Sequence, residues 1–160
     1  MNDLHLERTR PTNVMHILGF MGLVPFVCGL VLSIIDKHIL GYSGEIIFVT
    51  YSAVILSFLS GILWGTAITN PHLHSSSRLL LLSNMMSLLA WFSLLLSDQD
   101  FLSPIVILAF GYITVWRAEK SAKVCSMVHN LVLADYAAMR TKLTVCVVLL
   151  HSFMCLTVLS

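Results

Sequence analysis

Few residues in this sequence could do chemistry, and their spacing limits what that chemistry could be. His72 and His74 stand two apart in NPHLHSSSR. That spacing could start a metal site, although a plain turn around Asn70 and Pro71 explains the same residues. His151 lies about two helical turns inside the last apolar run, near mid-membrane depth. There an imidazole is either neutral and bonded to a neighbouring helix or a metal or haem ligand; no second ligand at that depth is evident, which favours the first reading. His16 reads as interfacial. Cys28, Cys125, Cys146 and Cys155 show no C-x-x-C spacing, so neither a disulfide framework nor a zinc site is suggested. Tyr136, Arg140 and Thr144 recur every fourth residue and share one helical face. They make either an aromatic anchor with a topology-setting arginine, or an arginine that grips a lipid phosphate or a partner's carboxylate with Tyr136 behind it. No Ser/His/Asp, Cys/His, phosphate-loop or paired-carboxylate arrangement is present, so no catalytic residue, metal or cofactor is expected, and the chain does not read as an enzyme.

The elements that must position these residues are membrane spans. Of 160 residues, 58% are hydrophobic and 11% charged, far more apolar content than a soluble core of this length could bury. A hydrocarbon layer about 30 Å thick asks for roughly 20 apolar residues per helix. Five runs approach that length, at 14–35, 46–69, 79–97, 101–116 and 143–159. The expected fold is therefore all-α, a single integral membrane bundle of five transmembrane helices. The fourth run is short, about 16 residues or roughly 24 Å of helix. Charge placement argues that it crosses nonetheless. With five spans, Arg8, Arg10, Arg78, Arg117, Lys120, Lys123, Arg140 and Lys142 share one side and only Lys37 lies opposite. The positive-inside rule then puts the N-terminus in the cytoplasm and the C-terminus outside. Between the fourth and fifth spans, 117–142 lacks Pro and Gly and reads as an extension of the fourth helix followed by a short amphipathic helix on the headgroups, with Val124, Met127 or Val128, and Leu131 on its apolar face. Ser103 is placed to cap a helix that Pro104 opens.

The first run is too long for a signal-peptide core, and Asp3 and Glu7 make the start too acidic for a transit peptide, so a bacterial inner membrane fits best. With a net charge of +1 and basic residues flanking spans, nucleic acid is not an expected partner, whereas membrane lipids are. Within the five apolar runs no Asp, Glu, Lys or Arg remains, which argues against ion or proton transport. Asn84 and the hydroxyls of Thr50, Ser57, Ser60, Ser83, Ser87 and Thr114 are left to make contacts between helices.

One pattern inside the second span stands out. Ala53, Ser57, Gly61 and Gly65 fall at four-residue spacing in YSAVILSFLSGILWGTA. Helices in lipid associate through van der Waals contact and interhelical hydrogen bonds, and small residues let their axes approach. The first helix, with Gly19, Gly22 and Gly29 and a kink near Pro25, is the expected partner; dimerisation through the same face is the alternative.

YSAVILSFLSGILWG followed by DYAAMRTKLT resembles the domain-of-unknown-function family 3429, bacterial relatives of the mitochondrial transmembrane protein 69. The resemblance falls on Tyr51, Ser57, Phe58, Gly61, Trp64 and Gly65, then on Tyr136, Arg140 and Thr144. Ser52 and Ser60 stand where the family tends to have Gly, and Asp135 where it tends to have an aromatic residue. The resemblance implies a small multi-pass inner-membrane protein and almost nothing about activity. The expected function is a non-enzymatic scaffold or assembly partner for another membrane protein or a second copy. The alternative is binding or transport of a lipid or quinone-like amphiphile, with Trp64, Trp91 and Trp116 near the interfaces and Arg140 at the headgroups.

Overall fold

A computed structural model describes residues 14–69, 76–125 and 131–160. They form five helices long and apolar enough to cross a membrane: α1 (Val14–Ile34), α2 (Gly44–Thr69), α3 (Ser76–Leu96), α4 (Leu102–Cys125) and α5 (Leu131–Leu159). Each joins the next antiparallel, and α1 closes against α5. Helix α2 lies at the centre, touching α1, α3 and α4.

The short fourth run is resolved by continuation. Helix α4 has 24 residues, roughly 36 Å, because nothing after Trp116 breaks it. Of the separate headgroup helix expected within 117–142, residues 126–130 lie outside the described residues, and the described ones belong to the two long helices. Residues 117–125 extend α4, and from Leu131 the chain is already α5, a single helix of 29 residues. With no Pro or Gly in the stretch, each added residue continues the backbone ladder. The apolar face expected around Val124, Met127, Val128 and Leu131 lies outside the described side chains. The cap of α4 also differs from expectation. Asp100 takes that place, its carboxylate accepting the Ser103 N–H at 2.7 Å and the Ser103 hydroxyl at 2.9 Å. Aspartate does this better than serine because it offers two charged acceptors to the helix's open N–H groups.

Near Pro25, α1 breaks at Gly22 and Leu23, and the Gly22 carbonyl there accepts the Tyr51 hydroxyl of α2 at 3.0 Å. The connection to α2 is closed by paired hydrogen bonds between Ile39 and Tyr42, with Leu40 and Gly41 at positive φ between them. Close approach of α1 and α2 happens just beyond this turn. A β-carbon on Gly29 would stand 3.1 Å from the Gly44 carbonyl oxygen, and one on Gly44 would stand 2.5 Å from the Gly29 oxygen.

The seam of α2 corrects the small-residue expectation. Its buried line is Val49, Ala53, Leu56, Ser60, Leu63 and Ala67, at alternating spacings of four and three, and on α3 Leu79, Ser83, Met86, Ala90 and Ser93 repeat that rhythm. Antiparallel helices crossing at a shallow angle keep a line with a 3.5-residue period in mutual contact. A strict four-residue line rotates about 40° per step away from it. Ala53 therefore belongs to the seam, Ser57 is half-buried, and Gly61 and Gly65 have turned outward, with nothing within 4 Å of where a β-carbon would be. The packing of those two glycines against α1 does not occur. Ser60 occupies the seam instead, sharing a 2.6 Å hydrogen bond with Ser87, while the Ser83 hydroxyl donates to the Ser60 carbonyl at 2.7 Å.

Candidate functional site

On α4, Leu108, Tyr112, Val115, Glu119 and Ala122 are buried; on α5, Met139, Arg140, Thr144, Val147, His151 and Met154 are. Both sets follow the three-and-four spacing of one helical face, so the antiparallel pair brings polar groups of each helix together inside the bundle.

At the end nearest the 125–131 connection, Arg140 Nε donates to Glu119 Oε2 at 3.0 Å, with 6% of Arg140 and 3% of Glu119 exposed. Arg140 Nη1 makes a long 3.4 Å contact to Thr144 Oγ1, whose own proton goes back to the Arg140 carbonyl at 2.9 Å. Arg140 Nη2 is buried without a hydrogen-bond partner. Tyr136 stands alongside, its hydroxyl in hydrogen-bonding range of Glu119 and Arg140. One turn away, the Trp116 indole N–H donates to Thr141 Oγ1 at 3.1 Å, and Lys120 lies 5.2 Å over the Trp116 ring. Tyr136, Arg140 and Thr144 do share a face, as expected. The acceptor for Arg140 Nε is a carboxylate of its own chain, so this end of the guanidinium is committed within the protein.

Deeper in the bundle His151 is fully enclosed, 0% exposed. Its Nδ1 lies 2.8 Å from the Val147 carbonyl oxygen. A carbonyl can only accept, so Nδ1 carries a proton, and in the neutral imidazole Nε2 then accepts the Ser52 hydroxyl, also at 2.8 Å. The Tyr112 hydroxyl donates to the Ser52 carbonyl at 2.9 Å, tying α4 to the same turn of α2. Phe48, Tyr112 and Phe26 pack around the imidazole with ring centroids at 4.8, 5.4 and 5.8 Å. This is a helix-bonded histidine, with both ring nitrogens engaged. Four of the five helices converge on it.

The remaining singled-out residues fall elsewhere. Phe58 and Trp64 are 70% and 42% exposed and stand with Gly61 and Gly65 on the outside of α2, whereas Tyr51 and Gly22 meet at the α1–α2 contact. Gly19 faces Leu143 and Met139 of α5 rather than α2. Thr50 and Asn84 are exposed. Among the described residues no three His, Cys, Asp or Glu side chains gather as a metal site. His72 and His74 lie outside the described residues.

Sequence reasoning missed Glu119 because it follows the apolar part of the fourth run. The signal that could have found it is its three-and-four spacing from Tyr112 and Val115, which puts it on the inward face. It also passed over Ser52 and Tyr112, which gain meaning only as neighbours of His151. Ser52 and Ser60 are both buried and carry bonds between helices.

No curated protein and no solved structure matches this chain. Residues 11–156, nearly its full length, match the family described as protein of unknown function (DUF3429), and the chain is a member of that family.

Proposed function

We propose that this protein is a non-enzymatic scaffold of the bacterial inner membrane, N-terminus cytoplasmic and C-terminus outside, that offers the outer face of α2 to a transmembrane helix of another membrane protein. The observation that carries the reading is the open pair Gly61 and Gly65, with no atom within 4 Å of either β-position, flanked by exposed Phe58 and Trp64. Glycines four apart on a lipid-exposed helix face leave a trough that a second backbone can enter, and the neighbouring aromatics give that helix two walls. These are also the residues of the second span on which the family resemblance falls. Neither Gly61 nor Gly65 packs against another helix of the chain.

Gly61→Leu and Gly65→Leu test the proposal, because a β-carbon at either position has open space within 4 Å. Purification in mild detergent should yield folded, monodisperse variants that have lost a partner the natural chain retains. Unchanged co-purification in both variants would count decisively against the reading, and a change of mass corresponding to a second copy would identify the partner as the chain itself. Reporter fusions at both ends test the orientation.

A further inference from the structure

Arg140 is fixed at one end of its guanidinium and uncommitted at the other. Nε is held by Glu119 at 3.0 Å, while on the opposite edge Nη1 makes the 3.4 Å contact to Thr144 and Nη2 is buried without a hydrogen-bond partner. A buried N–H without an acceptor is strongly unfavourable where no bulk water reaches. The two nitrogens of that edge present parallel donors, the geometry that two oxygens of a phosphate or carboxylate satisfy together. We propose that this edge is a binding site for phosphate oxygens, those of a phospholipid headgroup, with Glu119 as the residue that positions Arg140. The site lies on α4 and α5 and goes beyond the scaffold reading, which rests on α2.

Charge and depth support that choice. Glu119 neutralises Arg140, so the attraction for an anion must come from the surroundings. Arg117, Lys120 and Lys142 are exposed around it. Arg117 and Lys142 neighbour Trp116 and Thr141, whose mutual bond sets both helices at one level with Arg140. Lysines and arginines ringing a bundle at one level mark the headgroup region of an anionic leaflet. An exposed rim alone would attract any anionic surface. The enclosed Nη edge adds a demand for a particular geometry.

The protein purified in detergent separates the outcomes by thermal unfolding and native mass spectrometry with three probes: phosphatidylglycerol, diacylglycerol of the same chains, and inorganic phosphate. Phosphatidylglycerol should be retained and raise the melting temperature, whereas diacylglycerol should do neither. Arg140→Lys, which keeps the charge and loses the fork, should weaken phosphatidylglycerol binding by about tenfold or more. Arg117→Gln with Lys120→Gln should weaken it only slightly, and mainly at low salt. Protection by inorganic phosphate to the same degree would support the site and assign it to soluble phosphate. Equal protection by diacylglycerol, or an Arg140→Lys protein that binds phosphatidylglycerol as the natural chain does, would overturn the proposal. The comparison of phosphatidylglycerol with diacylglycerol needs no variant, so it decides the matter even if Arg140→Lys fails to fold.

Discussion

Replacing Glu119 with leucine should cost more stability than replacing Glu119 and Arg140 together. The two side chains are almost wholly buried, with Nε and Oε2 3.0 Å apart, so solvent screens the pair little. Unit charges about 4 Å apart attract by about 4 kcal/mol at an effective dielectric of 20. Breaking a buried pair by removing one partner costs roughly 3–5 kcal/mol, because the other charge is left without compensation. In Glu119→Leu, Nε joins Nη2 in having no carboxylate, while Tyr136 can accept one freed N–H, which places the expectation near 3 kcal/mol. Glu119→Gln keeps an acceptor oxygen without the charge and should cost roughly half as much. Glu119→Leu with Arg140→Met removes both charges and fills the space, so it should recover most of the loss. For a chain of this size 1 kcal/mol corresponds to roughly 2–4 °C, so thermal unfolding in detergent should show a drop of roughly 6–12 °C for Glu119→Leu and a much smaller one for the double variant. A single variant within 2 °C of the natural chain, or a double variant less stable than the single, would refute the reasoning that an unmatched buried charge dominates this contact.

Three further outcomes follow from the packing. Gly111→Ala should destabilise by about 1–3 kcal/mol, since its β-carbon would fall 2.5 Å from Leu56 Cδ2, whereas Gly61→Ala and Gly65→Ala should be neutral or stabilising by up to about 1 kcal/mol from helix propensity; melting curves of the three variants check the contrast. Ser60→Ala should cost about 0.6–1.7 kcal/mol through the lost 2.6 Å bond to Ser87, and Ser87→Ala should add little on top of it, which a double-mutant cycle reads directly. The Ser103 backbone N–H, then its hydroxyl, holds the Asp100 carboxyl below its ordinary value of 3.8. A depressed folded value means that the cap stabilises α4 fully above about pH 4 and loses that contribution as pH falls through the folded value. The melting-temperature gap between the natural chain and Asp100→Ala should therefore be flat above pH 5 and close in acid; a gap that persists there would contradict the assignment of Asp100 as the cap.

Hydropathy and charge placement together determined that the chain makes five helices long and apolar enough to cross a membrane, and roughly where. Hydrocarbon thickness fixes the length of a span, and a backbone without water must satisfy its own hydrogen bonds, so composition, length and charge placement suffice. The common face of Tyr136, Arg140 and Thr144 was equally legible, because helical periodicity is local, and so was the place of His151 within the last long apolar helix. Which faces meet was decided only by tertiary structure. The four-residue line from Ala53 to Gly65 looked like a seam, but partner helices crossing at a shallow angle follow a 3.5-residue period, and that carried Leu56, Ser60 and Leu63 inward and Gly61 and Gly65 out. Glu119 and Arg140 belong to different helices, as do Ser52, Tyr112 and His151. Each is an ordinary polar residue in its own segment and becomes part of a buried site only when the register between helices brings donor to acceptor, a property of the packed bundle that no single span contains.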